Sequence, residues 1–89
     1  MQRIFKLGDT IKYFKRDFLS PTEAQDAKYY YWYRGEAIHS KTKERLVILR
    51  HIIDGECIAI PYDDFMAKVD KTKYSTAKQL FQYEKVEGM

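Results

Sequence analysis

The chain has 89 residues with sixteen Lys and Arg against thirteen Asp and Glu, a formal charge of +3. That length supports one domain rather than two, and so mild a charge permits a polyanionic partner without demanding one. The single cysteine, Cys57, excludes an intrachain disulfide and suits a reducing compartment. No apolar run is long enough to cross a bilayer, and the start MQRIFKLGD carries no signal-peptide core. A soluble, cytoplasmic protein with no membrane partner is expected.

A chain of this size buries only about 60–65% of its unfolded surface, so its core must be compact. Eight Tyr, five Phe and one Trp supply it. A buried Tyr hydroxyl needs a partner, so some rings are expected at a rim, a groove or a subunit interface. Basic residues gather at Arg3, Lys6, Lys12, Lys15 and Arg16 and again at Lys41, Lys43, Arg45 and Arg50. If the amino-terminal strand lies near the central hairpin, they form a one-sided basic surface; otherwise they are scattered solvated charge.

In chain order, Gly8-Asp9 marks a turn, and Thr10–Phe14 follows as a short strand of β-branched and aromatic residues. Ser20-Pro21-Thr22-Glu23 reads as a helix start, with Ser20 as N-cap and Glu23 closing a capping box, and predicts a surface helix to Ala27. The organising stretch is Tyr29–Ile60. Its first strand begins near Lys28, with Tyr29, Tyr31 and Tyr33 on one face and Tyr30, Trp32 and Arg34 on the other. Gly35 inside it marks a bulge or sharp bend. After the polar turn Ser40–Lys43, Arg45–Ile53 is apolar on both faces and is expected to be central. Asp54-Gly55 predicts a two-residue hairpin turn into a strand over Glu56–Ile60, closed by Pro61.

Tyr62–Lys68 predicts a helical turn, with Asp63 and Asp64 near its positive end and Phe65 and Met66 plugging one mouth of the sheet. Asp70–Tyr74 predicts a further turn, and Leu80–Val86 a last strand. The order favours a mainly β domain: a small, partly open SH3-like barrel, or a strongly bent antiparallel sheet of about five strands with short helices.

Several short motifs occur together and in order. They are Tyr13-Phe14-Lys15-Arg16, Ala37-Ile38-His39-Ser40-Lys41-Thr42-Lys43-Glu44, Leu46-Val47, Pro61-Tyr62-Asp63-Asp64-Phe65-Met66, Val69-Asp70 and Lys73-Tyr74. In this the chain resembles a bacterial and phage domain, the domain-of-unknown-function family 1653. It departs from that pattern at Tyr13, where the family has His, and at Ile60, where it has Arg before the proline. Leu49 and Gln82 replace a usual aromatic and a usual Arg. The resemblance implies a compact β module, and its phage association extends to sequestration of a host nucleotide signal.

Candidate chemistry is sparse. His39, Ser40, Thr42 and Glu44 form either a ligand-contacting cluster or ordinary hairpin-turn chemistry. His51 and Cys57 fall on opposite faces under the expected hairpin register, which disfavours a metal site or a nucleophile pair, and Cys57 is expected to be buried. Asp63-Asp64 reads as a helix-start pair rather than a catalytic one. No phosphate-cradling glycine loop, GxSxG or HExxH is present, so neither an enzyme nor a cofactor is expected.

The strongest binding feature is the aromatic run with its cations, because Tyr and Trp faces stack on bases while Arg and Lys neutralise phosphate. The expected function is non-enzymatic capture of a nucleotide-derived small molecule by Tyr30, Trp32 and Arg34, with His39 and Arg50 in support. A single-stranded nucleic-acid module using the same residues on an open surface is the first alternative. A homodimeric interaction subunit with the tyrosines at its seam is the second.

Overall fold

Three consecutive strands occupy the organising stretch in the computed structural model, which describes residues 3–18 and 29–86. They are β2 (Tyr30–Ile38), β3 (Arg45–His51) and β4 (Cys57–Pro61). Strand β1 (Thr10–Tyr13) precedes them, and β5 (Tyr83–Lys85) closes the chain order. One short helix, α1 (Tyr62–Met66), follows β4. All strand pairings are antiparallel, in the order β4-β3-β2-β1-β5. The sheet does not close on itself, so the architecture is the open, bent sheet rather than a barrel. The helix expected over Ser20–Ala27 lies outside the described residues.

Alternation decides which side is buried. Ile11 on β1, Tyr33 on β2, Val47 and Leu49 on β3 and Ile60 on β4 point to one face, where Phe65 of α1 completes the core. Phe5 joins them, stacked on Tyr33 with ring centroids 5.6 Å apart. Burying each of Phe65, Ile11, Leu49 and Val47, all essentially without solvent contact, contributes about 1.5–3 kcal/mol. A smaller cluster of Phe14, Val69 and Ala77 extends the core at the other end.

Gly35 makes the bend that the sequence predicts. Its φ of +102° lies where side chains are strained, and the β2–β3 register shifts between Tyr33 and Glu36. Tyr33 opposes Leu49 and Glu36 opposes Val47, so β2 spends one more residue than β3 across this step. The extra residue keeps Tyr33 and Glu36 on the same face. Glu36 there receives paired hydrogen bonds from Arg45, one of them at 2.9 Å. The Arg45 guanidinium also lies 3.7 Å from the centre of the Tyr62 ring, tying the hairpin to α1.

Three local expectations are corrected. The β3–β4 connection is not a two-residue turn: Arg50 opposes Cys57, and Ile52–Gly55 forms a four-residue loop. A two-residue Asp-Gly turn needs positive φ at both positions; here Gly55 adopts it at +74° and Asp54 does not. The Asp54 carboxylate instead accepts the Glu56 amide, and the Gly55 amide donates to the His51 carbonyl. The longer loop preserves parity, so His51 and Cys57 still face opposite sides. Cys57 itself is exposed, because alternation with the core-facing Ile58 and Ile60 turns it outward. The last strand is shorter than Leu80–Val86: the Glu84 carboxylate accepts the Leu80 and Phe81 amides, removing them from the ladder. Nothing in FKRDF marks the 3-10 turn at Phe14–Phe18 that follows β1.

Candidate nucleic-acid interface

The face of the sheet turned away from the core carries the aromatic and basic residues. Trp32 opposes Thr10 on β1 and Arg50 on β3. Tyr30 opposes Lys12, and Arg50 opposes Cys57. Arg34 immediately precedes the bulge glycine and is exposed. Tyr30, Trp32, Arg34 and Arg50 therefore share one neighbourhood, and strand β1 adds Lys12 to it. Trp32 keeps 39% of its surface exposed, a high value for the residue in the middle of a sheet.

Neither Lys12, Arg34 nor Arg50 forms an ion pair among the described residues. Lys12 has Glu84 opposite it on β5, but that carboxylate is turned onto the Leu80 and Phe81 amides. Arg50 extends toward the β3–β4 loop: a Cβ placed on Gly55 would stand 3.2 Å from its Nη2. The cations thus lie on three adjacent strands, spanning about 10 Å across the sheet at the usual strand spacing.

Other basic residues are committed to the opposite side. Arg3 donates to the Tyr83 carbonyl and stacks 4.0 Å from the Phe81 ring centre; burial pulls its pKa down. Lys15 donates to the Tyr74 hydroxyl at 2.8 Å, which raises the ammonium pKa and lowers that of the phenol. Arg45 is held by Glu36. Strand order thus places β1 beside the central hairpin, yet the basic residues divide between the two faces.

His39 stands apart. It follows β2 at the hairpin tip, seven positions beyond Trp32, or roughly 20 Å away at the rise of a strand. Its Nδ1 accepts the amides of Lys41 and Thr42 at 3.1 and 3.2 Å, and the Thr42 hydroxyl accepts the Glu44 amide at 3.2 Å. This is turn chemistry, and it leaves the neutral ring with its proton on Nε2.

Lys12 is the neighbour that sequence reasoning did not attach to Trp32. Alternation within Thr10–Tyr13 gives its face, but only the pairing of β1 with β2 brings it there. Three clefts among the described residues lie elsewhere. One of about 190 Å³ is bordered by Arg3, Tyr33, Arg45 and Tyr62; a wider one of about 530 Å³ by Glu44, Arg45, Tyr62 and Asp63; a third of about 300 Å³ by Tyr29, Tyr31 and His51. None of the three is lined by Tyr30, Trp32, Arg34 or Arg50. Trp32, Arg34 and Arg50 are exposed on their face, and Tyr30 is half-buried.

Compared with known protein families, curated proteins and solved structures, the chain gives no match.

Proposed function

We propose that this domain is a non-enzymatic binding module that lays a single-stranded nucleic acid across the outer face of its sheet. A base stacks on Trp32, and Lys12, Arg34 and Arg50 neutralise successive phosphates. The observation that carries this reading is the placement of an exposed tryptophan on the middle strand, with cations on its own strand and on both neighbours. Stacking is tolerant of sequence because every base has a π-face, and it is worth about 1–3 kcal/mol per base. An exposed sheet face whose residues line none of these clefts favours a polymer over a lone mononucleotide, since small ligands are held in concave pockets that bury most of their surface.

Trp32 is the only tryptophan, so its fluorescence reports on the site directly. Titration with oligothymidylates of increasing length is expected to quench it, with affinity rising over the first few nucleotides and falling as salt is added. Mononucleotides that bind as tightly as the oligomers would replace this reading with capture of a nucleotide-type small molecule. A dimeric mass that collapses to a monomer in Trp32→Ala would assign the face to self-association.

A further inference from the structure

The opposite face of the sheet holds a different kind of site. Beside the β3–β4 loop, a cavity of about 300 Å³ is lined by Tyr29, Tyr31, His51, Asp54, Glu56 and Ile58. The two tyrosines are two positions apart, as residues sharing a strand face must be. Tyr31 meets His51 edge-on, with ring centroids 5.1 Å apart and 63° between planes. Ile58 on β4 adds an aliphatic wall. Asp54 and Glu56 supply carboxylates, both on exposed residues of the loop side.

The Asp54 carboxylate is fixed in place. Asp54 Oδ1 accepts the Glu56 amide at 2.9 Å and stands 3.2 Å from His51 Nδ1. The backbone donor, with help from the imidazole, holds that carboxyl below its ordinary range. The Tyr31 phenol is pushed upward by burial first, then by its tyrosine neighbours and by Asp54 and Glu56. The cavity therefore combines aromatic walls with negative potential.

That combination selects a ligand class. An anion is repelled, and a neutral ligand gains no charge attraction from the carboxylates. Among the described residues, no three His, Cys, Asp or Glu side chains converge to hold a metal ion. A primary ammonium can donate to the carboxylates but is a compact, strongly hydrated charge that gains little from aromatic walls. A fully alkylated ammonium has no N–H groups, presents an apolar hull and keeps its charge, which is what an aromatic cage recognises. We propose that this cavity binds a quaternary alkylammonium group, with Tyr29 and Tyr31 as its aromatic walls and Asp54 and Glu56 as its counter-charge.

The test is an NMR titration of the isotope-labelled 89-residue chain with three probes. These are choline, N-acetyl-trimethyllysine amide and 3,3-dimethylbutan-1-ol, the neutral isostere of choline. At least one ammonium is expected to give saturable shifts at the Tyr31, His51 and Glu56 amides. The alcohol is expected to bind at least about tenfold more weakly, as loss of a cation–π and carboxylate attraction requires. Tighter binding of the lysine probe identifies a modified protein as the source, and tighter binding of choline a small molecule or lipid headgroup. Glu56→Gln, an exposed position, is expected to weaken binding about threefold, and Tyr29→Leu about tenfold. Absence of saturable shifts with both ammoniums at millimolar concentration overturns the proposal. So does equal affinity for the alcohol, or full affinity in a folded Tyr29→Leu.

Discussion

Phe65 of the helix stacks on Tyr83 of the edge strand β5, with ring centroids 5.4 Å apart and 24° between planes. The same ring meets Phe5 edge-on at 5.0 Å, so one side chain joins the amino-terminal segment, the helix and the last strand. Truncating it leaves a cavity with aromatic walls that cannot collapse independently. Phe65→Ala is expected to cost about 3–5 kcal/mol, a large share of the roughly 5–15 kcal/mol that holds a small domain folded. Urea denaturation followed by circular dichroism measures it. A loss below about 1 kcal/mol would mean that the helix is not a keystone of this core.

Tyr33 and the half-buried tyrosines predict an alkaline limb in stability. Burial is the leading cause of the raised phenol pKa of Tyr83, with Tyr13, Tyr31 and Asp64 adding to it. The phenols of Tyr13, Tyr31 and Tyr33 are also raised, chiefly by burial. A raised folded pKa means that the unfolded chain gives up its proton first. The stabilisation is therefore complete below the ordinary tyrosine pKa of about 10 and is lost as pH climbs through the folded values. Tyr74 runs the other way, its phenolate favoured by the Lys15 ammonium. Absorbance at the phenolate band should resolve a minority titrating below the usual range and a group well above it. Tyr83→Phe should flatten the alkaline fall in stability; an unchanged fall would remove Tyr83 as its source.

Gly35 shows how much of the architecture local chemistry encodes. A glycine inside an aromatic strand signals a bulge, and its φ of +102° confirms that only a residue without Cβ sits there unstrained. Gly35→Ala is expected to destabilise by about 1–3 kcal/mol through that strain, since the nearest atom, Leu7 Cδ2 at 3.4 Å, stands at ordinary contact distance and leaves room for the methyl. A neutral result in urea melts would show that the step between Tyr33 and Glu36 can relax to regular pairing.

Other features were legible for the same reason, and some were not. Alternation separates Tyr29, Tyr31 and Tyr33 from Tyr30, Trp32 and Arg34, but with rings on both sides of that strand and apolar residues on both sides of β3, only the packing of Phe65 and Phe5 shows which face is the core. The polar hairpin tip at His39–Glu44 follows from turn chemistry. Exposure of Cys57 follows from the parity of β4, where Ile58 and Ile60 face the core, and that parity outweighs the usual burial of cysteine. Strand order is a different matter. Nothing local says that β1 pairs with both β2 and β5, because that choice is made by which edges remain after the hairpins form. The arrival of Lys12 beside Trp32 depends on that choice; Arg50 comes there through the β2–β3 hairpin, and the length of β2 alone keeps His39 away.

The two faces of the sheet give the binding proposal an internal control. Arg50 lies beside Trp32 on the outer face, whereas Arg45 is committed to Glu36 and Tyr62 on the other. Releasing one counterion per phosphate contact gives a salt slope of about −0.7 for a single strand. Three contacts by Lys12, Arg34 and Arg50 should therefore give about −2 in a plot of log affinity against log salt. Arg50→Gln should reduce that slope by about 0.7, and Arg45→Gln should leave it unchanged. Trp32→Ala should lower affinity by about 1–3 kcal/mol without altering the slope, because stacking releases no ions. Anisotropy of a labelled oligothymidylate at several salt concentrations separates these effects. If Arg45→Gln and Arg50→Gln flatten the slope equally, the attraction is spread over the whole basic surface and the outer face has no privileged role.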